Sequence, residues 1–131
     1  MLYWRTLVRY YDRDGKPIPF EQWVALFERG DDYRIVRQTT IGPWWVSTVW
    51  LGLNHNWGGG PPLIFETMVF WEKPDDDYRD ITGLRYSTLA QARSGHARFV
   101  WELRRKARTL QGALARSGLP VTLLTSHRDE G

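Results

Sequence analysis

The chain of 131 residues contains no cysteine, which excludes disulfide bonds, thiolate nucleophiles and thiolate metal ligands. No stretch of it approaches the roughly 20 consecutive apolar residues that a membrane-spanning helix needs. The N-terminal segment MLYWRTLVRYYDRDG has charges spaced through it and no apolar signal-peptide core. These absences favour a cytoplasmic protein that does not enter the membrane.

Sequence motifs of familiar enzyme classes are missing as well. There is no GxSxG element, and the loop NHNWGGGPP lacks the lysine and the following Ser or Thr of a P-loop. The histidines His55, His96 and His127 are far apart and have no metal-binding spacing such as HExxH. We therefore assign no catalytic residue, no metal site and no cofactor from the sequence.

Aromatic residues are abundant, with eight Trp, six Tyr and five Phe in a chain that is 42% apolar. Such side chains build hydrophobic cores and also anchor binding surfaces. The length is that of one ordinary domain that can bury a core, so we expect a single domain over 1–131. Segment 119–131 ends in polar residues and is expected to be a partly flexible tail.

The periodicity of apolar residues predicts an α+β fold with one antiparallel sheet of about four or five strands. The segment PFEQWVALFERG has apolar residues at spacings of three and four, which predicts a short N-terminal helix. The polar segment EKPDDDYRD is expected to be a loop. Runs of β-branched and aromatic residues between turn signals predict strands at 2–11, 33–41, 44–53, 63–71 and 81–86.

The clearest predicted element is a long C-terminal helix over 88–116, packed across the sheet. Thr88 and Gln91 fit a capping box at its start, and Gly118 with Pro120 mark its end. Its apolar stripe recurs every three or four residues and consists of Leu89, Ala92, His96, Phe99, Leu103, Ala107, Leu110 and Leu114.

Two polar residues occupy apolar positions on elements that are expected to pack together. Glu66 lies on the strand LIFETMVFW, where both faces are apolar, and His96 lies in the helical stripe. Each is explained either by a structural hydrogen bond or ion pair, with an arginine in the case of Glu66, or by contact with a ligand. We expect the two to face each other in a polar pocket, to which Tyr86 adds a hydroxyl group.

The loop NHNWGGGPP joins two predicted strands and is long for a hairpin, which is typical of functional or mobile loops. His55 and Trp57 project from it, and Trp57 could stack on a base, a sugar or a partner's side chain. The three glycines could offer backbone N–H groups to a phosphate, or the segment could simply be a hairpin loop.

Positive charge is concentrated in the last third of the chain, although the net charge is only +3. Glu102 is the one acidic residue between Arg85 and Arg116. This pattern indicates either a solvated helix face, a basic rim around a pocket, or a nucleic-acid-binding surface. For the last alternative the candidate residues are Arg98, Arg104, Arg105 and Arg108.

The segments VSTVWLGLNHNWGGGPPLIFETMVF and RYSTLAQARSGH resemble a small, uncharacterised protein family that recurs in actinobacterial phages and prophages. The resemblance covers roughly residues 33–100. In similar sequences the residue before the loop histidine is often Asp, whereas here it is Asn54. The resemblance implies a recurring pattern made of Thr48, His55, Glu66, Thr67, Tyr86 and His96.

The resemblance implies a phage or prophage accessory protein, and we expect it to act by binding in the host cytoplasm. Its ligand would be a phosphate-bearing small molecule, which it sequesters, or a host defence protein, which it blocks. The predicted ligand-binding residues are Thr48, His55, Trp57, Glu66, Tyr86 and His96. The alternatives are a nucleotide-processing enzyme that uses Glu66 and His96 as an acid–base pair, and a nucleic-acid-binding protein. Self-association into a homo-oligomer stays open.

Overall fold

The computed structural model describes residues 10–56, 58–72 and 78–117. Within these ranges, two N-terminal helices precede a four-stranded sheet, and a long helix follows it. The predicted α+β fold, with a short N-terminal helix and a long C-terminal helix across one antiparallel sheet, is confirmed. The elements are α1 (Phe20–Glu28), α2 (Asp31–Arg34), β1 (Ile35–Ile41), β2 (Trp44–Trp50), β3 (Phe65–Glu72), β4 (Tyr78–Tyr86) and α3 (Leu89–Ser117).

The sheet is a meander in which neighbouring strands are antiparallel and follow the order β1-β2-β3-β4. A tight turn at Gly42 joins β1 to β2, and the positive φ of 53° at this residue suits glycine. On the central pair, Thr48 lies opposite Thr67. Strand β1 is an edge strand, and a register shift between Ile35 and Arg37 precedes its regular pairing with β2.

Several predicted boundaries move in the structure. Strand β1 starts at Ile35, because Asp31–Arg34 form a helical turn before it. Strand β4 starts at Tyr78 inside the predicted polar loop, because pairing with β3 gives its polar residues backbone partners. Of the predicted strand 2–11, only Tyr10 and Tyr11 lie among the described residues, and each makes an isolated bridge.

Helix α3 begins at the predicted capping box. The backbone N–H of Gln91 donates to Thr88 Oγ1 at 3.1 Å, and the Thr88 N–H donates to Gln91 Oε1 at 3.2 Å. The helix lies against all four strands. Its predicted end at Gly118 and the tail 119–131 lie outside the described residues.

Two hydrophobic clusters form the core between α3 and the sheet. The first consists of Ile41, Trp44, Val46, Val69 and Val100, and the second of Trp50, Ile64, Phe65, Tyr86 and Ala92. Along β2, β3 and α3, one polar residue separates the two clusters in each element: Thr48, Thr67 and His96 respectively. These three side chains are 0%, 0% and 1% exposed, so a polar layer crosses the middle of the core.

Candidate functional site

The polar layer extends from Thr48, Thr67 and His96 to Thr39, so that its members come from β1, β2, β3 and α3. His96 Nδ1 lies 2.7 Å from Thr48 Oγ1, and His96 Nε2 lies 2.8 Å from Thr39 Oγ1. The hydroxyl oxygens of Thr48 and Thr67 are 2.6 Å apart. Both ring nitrogens of the buried imidazole therefore have hydrogen-bond partners, as buried polar groups require.

The imidazole of His96 is neutral near pH 7. Burial, and then the positive charge of Arg37, lower the pKa of His96 from 6.5 to about 4. In a neutral imidazole one ring nitrogen donates a hydrogen bond and the other accepts one. Threonine hydroxyls can do either, so they match this side chain without adding a charge to the core.

Tyr86 adds a further hydroxyl group beside the layer. Burial raises the pKa of Tyr86 above its ordinary value, and the Thr67 side chain beside it acts in the opposite direction. No hydrogen bond of regular geometry reaches this hydroxyl from the described residues. It lies against the helix backbone at Gly95, where any β-carbon would collide with it. Of the predicted ligand-binding residues, Thr48, Tyr86 and His96 thus lie together around Thr67.

The layer opens to solvent on one side through a cleft of about 450 Å³ between the edge strand β1 and α3. We call it the basic cleft. Three of its lining residues are apolar, Ala97, Val100 and Trp101, and none is a carboxylate. The others are Arg37, Thr39, His96, Arg104 and Arg108.

The arginines of the basic cleft come from two elements. Arg104 and Arg108 are one helical turn apart on the side of α3 that faces β1, and Arg37 lies on β1 itself. Within the described part of the chain, none of the three forms an ion pair. The cleft is therefore strongly electropositive, and its guanidinium groups are available to an anion.

Trp101 stands at the rim of the basic cleft and is 56% exposed. The guanidinium carbon of Arg105 lies 4.8 Å from the centre of the Trp101 ring system, within cation–π range. An exposed indole of this kind offers a flat face on which a planar group can stack.

The prediction that Glu66 and His96 contact each other is wrong. Glu66 lies on the sheet face opposite α3, where its Oε1 is 3.4 Å from Arg85 Nε. Alternate residues of β3 face opposite sides, and the side with Thr67 packs against the helix. Glu66 thus has the arginine partner that the structural explanation expects.

The glycine-rich loop between β2 and β3 is organised by its asparagines. Asn54 Oδ1 accepts hydrogen bonds from the backbone N–H groups of Asn56 and Leu63, at 2.8 and 3.3 Å. The His55 N–H donates to the Leu63 carbonyl, and no hydrogen bond joins His55 to His96 among the described residues. The structure therefore does not join His55 to the polar layer, and Trp57 lies outside the described residues.

The four arginines predicted for nucleic-acid binding fall into two groups. Arg104 and Arg108 line the basic cleft. Arg98 instead pairs with Glu102 at 3.3 Å on the exposed surface of α3, and Arg105 lies over Trp101.

Sequence reasoning missed Arg37, Thr39 and Trp101. Alternation along β1 puts Arg37 and Thr39 on the same face as the buried Ile41, which is a signal readable from the sequence. That this face borders a cleft depends on β1 being the edge strand next to α3, which is a property of the topology.

Among the residues that the structure describes, no group of three or more His, Asp or Glu side chains could hold a metal ion. The helices in that part of the chain are too short or too polar to cross a membrane. Comparison of the chain with protein-family models, with curated proteins and with solved structures gives no match in any of the three.

Proposed function

We propose that the protein binds a phosphate-bearing small molecule in the basic cleft. The observation that carries the proposal is the convergence of Arg37, Arg104 and Arg108 on one cleft whose lining contains no carboxylate. Guanidinium groups donate paired hydrogen bonds in a planar fork that matches phosphate oxygens. The volume of about 450 Å³ falls within the range of small-molecule sites, about 300–1,000 Å³.

Two further side chains support a ligand that is larger than a bare anion. The exposed indole of Trp101 provides a stacking surface for a base or another planar group at the rim. Thr39 provides a hydroxyl at the inner end, where His96 holds it at 2.8 Å. A phosphate at the arginines with a planar group at Trp101 is the arrangement expected for a nucleotide-like ligand.

Titration calorimetry with inorganic phosphate, pyrophosphate and a nucleoside triphosphate tests the proposal. Replacing Arg37 and Arg104 together by glutamine should weaken binding by about 100-fold or more, because each arginine contributes a charge-assisted hydrogen bond of about 1.5–3 kcal/mol. The matched control replaces Arg93 and Arg98 by glutamine. This change removes the same amount of positive charge, but neither residue lines the cleft. Absence of binding, or equal weakening in the control, would contradict the proposal.

Nucleic-acid binding is the second candidate function, and a specific observation favours it. Arg98 and Arg105 extend the positive charge beyond the cleft along the exposed face of α3, next to the exposed Trp101. Binding of labelled RNA or DNA through such a surface should weaken steeply as salt is raised, because bound counterions are released. If the Arg98→Gln, Arg105→Gln double variant no longer binds nucleic acid but still binds pyrophosphate, the two binding functions use different surfaces.

The biological role stays a prediction that rests on the sequence resemblance. A phage or prophage accessory protein could use the cleft to sequester a phosphate-bearing signal, or use another surface to block a host defence protein. We infer binding without turnover, because the acid–base pair of Glu66 and His96 on which the enzyme alternative depended is not formed. Mass spectrometry of small molecules released from the purified protein should detect a phosphate-bearing compound, and a protein that retains none would count against sequestration.

A further inference from the structure

The hydroxyl protons of the polar layer must all point in one direction along it. Each threonine hydroxyl has a single proton, and the neutral His96 ring has one N–H. The layer is a continuous chain of contacts from Thr67 through Thr48 and His96 to Thr39, at 2.6, 2.7 and 2.8 Å. If Thr48 accepted from both neighbours, its own buried proton would stay unpaired, so an arrangement that pairs every internal proton donates in a single direction.

Two directions are available, and they differ in what the basic cleft receives. In the outward direction Thr48 donates to His96 Nδ1, His96 Nε2–H donates to Thr39, and the Thr39 proton is free to enter the cleft. In the inward direction Thr39 donates to His96 Nε2, and His96 Nδ1–H donates to Thr48. The cleft then receives only the lone pairs of the Thr39 oxygen.

The buried end of the chain distinguishes the two directions. The Tyr86 hydroxyl lies beside Thr67 and makes no hydrogen bond of regular geometry within the described part of the chain. In the outward direction the Thr67 proton is paired with Thr48, and the Thr67 oxygen is left as an acceptor. In the inward direction the Thr67 proton has only the Tyr86 oxygen to approach, and the Tyr86 proton then has no acceptor, so one more buried donor stays unpaired than in the outward direction, which is unfavourable.

We propose that the chain runs outward from Thr67 to Thr39, so that Thr39 presents a hydrogen-bond donor to the basic cleft and selects ligands with an acceptor oxygen there. This inference rests on the proposed phosphate-binding function and adds a specificity-determining residue to it. Thr39 is the group that touches the ligand, whereas His96, Thr48 and Thr67 are positioning residues. The arginines attract any anion, and Thr39 requires an unprotonated oxygen at the inner end of the cleft.

Nitrogen-15 NMR of the histidine-labelled protein at pH 7 tests the direction without a ligand. The outward chain puts the His96 proton on Nε2 and leaves Nδ1 as the acceptor, and the two tautomers have distinct ring-nitrogen shifts. The variants His55→Gln and His127→Gln assign the resonances. A proton found on Nδ1 of the free wild-type protein would overturn the inference, whether or not any phosphate binds.

A variant at the buried end of the chain tests the donor count on which the direction rests. Tyr86→Phe removes one donor, but it also removes the acceptor that the Thr67 proton would need in the inward direction. The outward chain therefore keeps its advantage, and His96 should keep the Nε2–H tautomer in the folded variant. A shift to the Nδ1–H tautomer would overturn the inferred direction.

Pyrophosphate affinity tests the role of Thr39 separately. Thr39→Val should weaken binding by about 10- to 100-fold, because it removes one hydrogen bond to a charged oxygen. The neighbouring Thr40→Val is the control, since Thr40 faces the other side of β1. Equal affinity in the two variants would overturn the role of Thr39. If the wild-type protein has the Nε2–H tautomer but binds no phosphate, the proposed function fails while the outward direction stands.

Discussion

The two faces of strand β3 differ in the partners of their polar side chains: one face has a neutral hydrogen bond and the other has an ion pair. On the face against α3, Thr67 is fully buried and shares a neutral hydrogen bond with Thr48. One residue earlier, on the other face, Glu66 is 21% exposed and pairs with Arg85, which is 43% exposed. The charged group lies where water still reaches it, and the groups that water does not reach are neutral, as the cost of burying a charge requires.

Loss of packing should show the contrast between the two faces most strongly. Phe65→Ala removes a ring that is fully buried under α3 and should lower the free energy of unfolding by about 3–5 kcal/mol. Phe70→Ala removes a half-buried ring from the other face and should cost clearly less. Urea denaturation of both variants makes the measurement, and equal losses would mean that the face opposite α3 is as well packed as the core.

Acid should destabilise the protein through His96. In the unfolded chain His96 binds a proton below about pH 6.5, whereas in the folded protein it binds one only below about pH 4, because its pKa is lowered to about 4. The unfolded state therefore binds more protons within this window. As the pH falls through it, the free energy of unfolding should drop by about 3 kcal/mol from this residue alone, and the contribution should level off below pH 4.

The His96→Gln variant isolates this contribution, because the carboxylates that titrate at low pH are the same in both proteins. Its stability should depend less steeply on pH between 6.5 and 4 than that of the wild-type protein. Identical pH profiles from urea denaturation would show that His96 is not held neutral by the fold.

Removal of one hydroxyl from the polar layer should have a smaller effect. Thr48→Val keeps the shape but leaves both His96 Nδ1 and Thr67 without their partner, at a cost of about 1–3 kcal/mol. The adjacent Ser47→Ala removes a hydroxyl on the other face, where Gln38 is its partner and is itself exposed, so it should cost less. Thermal melts of the two variants compare the two faces directly. A larger fall in melting temperature for Ser47→Ala than for Thr48→Val would contradict the larger contribution assigned to the polar layer.

The smallest effect is expected from the ion pair on the open face. Glu66→Gln removes the charge opposite Arg85, and a partly exposed pair of this kind contributes about 0–1 kcal/mol. The same change should leave pyrophosphate binding unaltered, since Glu66 does not line the basic cleft. Loss of binding in a stable Glu66→Gln variant would move the site to the other face of the sheet.

The helices and strands of the fold could be predicted from local sequence patterns. The stripe of α3 and its capping box at Thr88 and Gln91 follow from spacing and side-chain chemistry alone. Strand alternation correctly separated Glu66 from Thr67. It could not decide which of the two faces α3 covers, because both faces of β3 are apolar and the choice depends on packing with β1, β2 and β4.

The site was predictable only in its buried half. His96 belongs to the apolar stripe of a helix, so its burial could be read from the sequence. Its partners Thr39 and Thr48 come from two strands that are distant from it in the chain, and the strand register aligns Thr48 with Thr67. Arg37 follows a register shift in an edge strand, and no local pattern indicates that it meets Arg104 across a cleft.

A crystal structure of the protein grown with pyrophosphate tests the central claim most directly, because it locates the ligand on one face of the sheet or the other. We predict phosphate oxygens within hydrogen-bond distance of Thr39 Oγ1 and of at least two of the guanidinium groups of Arg37, Arg104 and Arg108. Pyrophosphate bound at the glycine-rich loop or beside Arg85, with the basic cleft empty, would contradict the account.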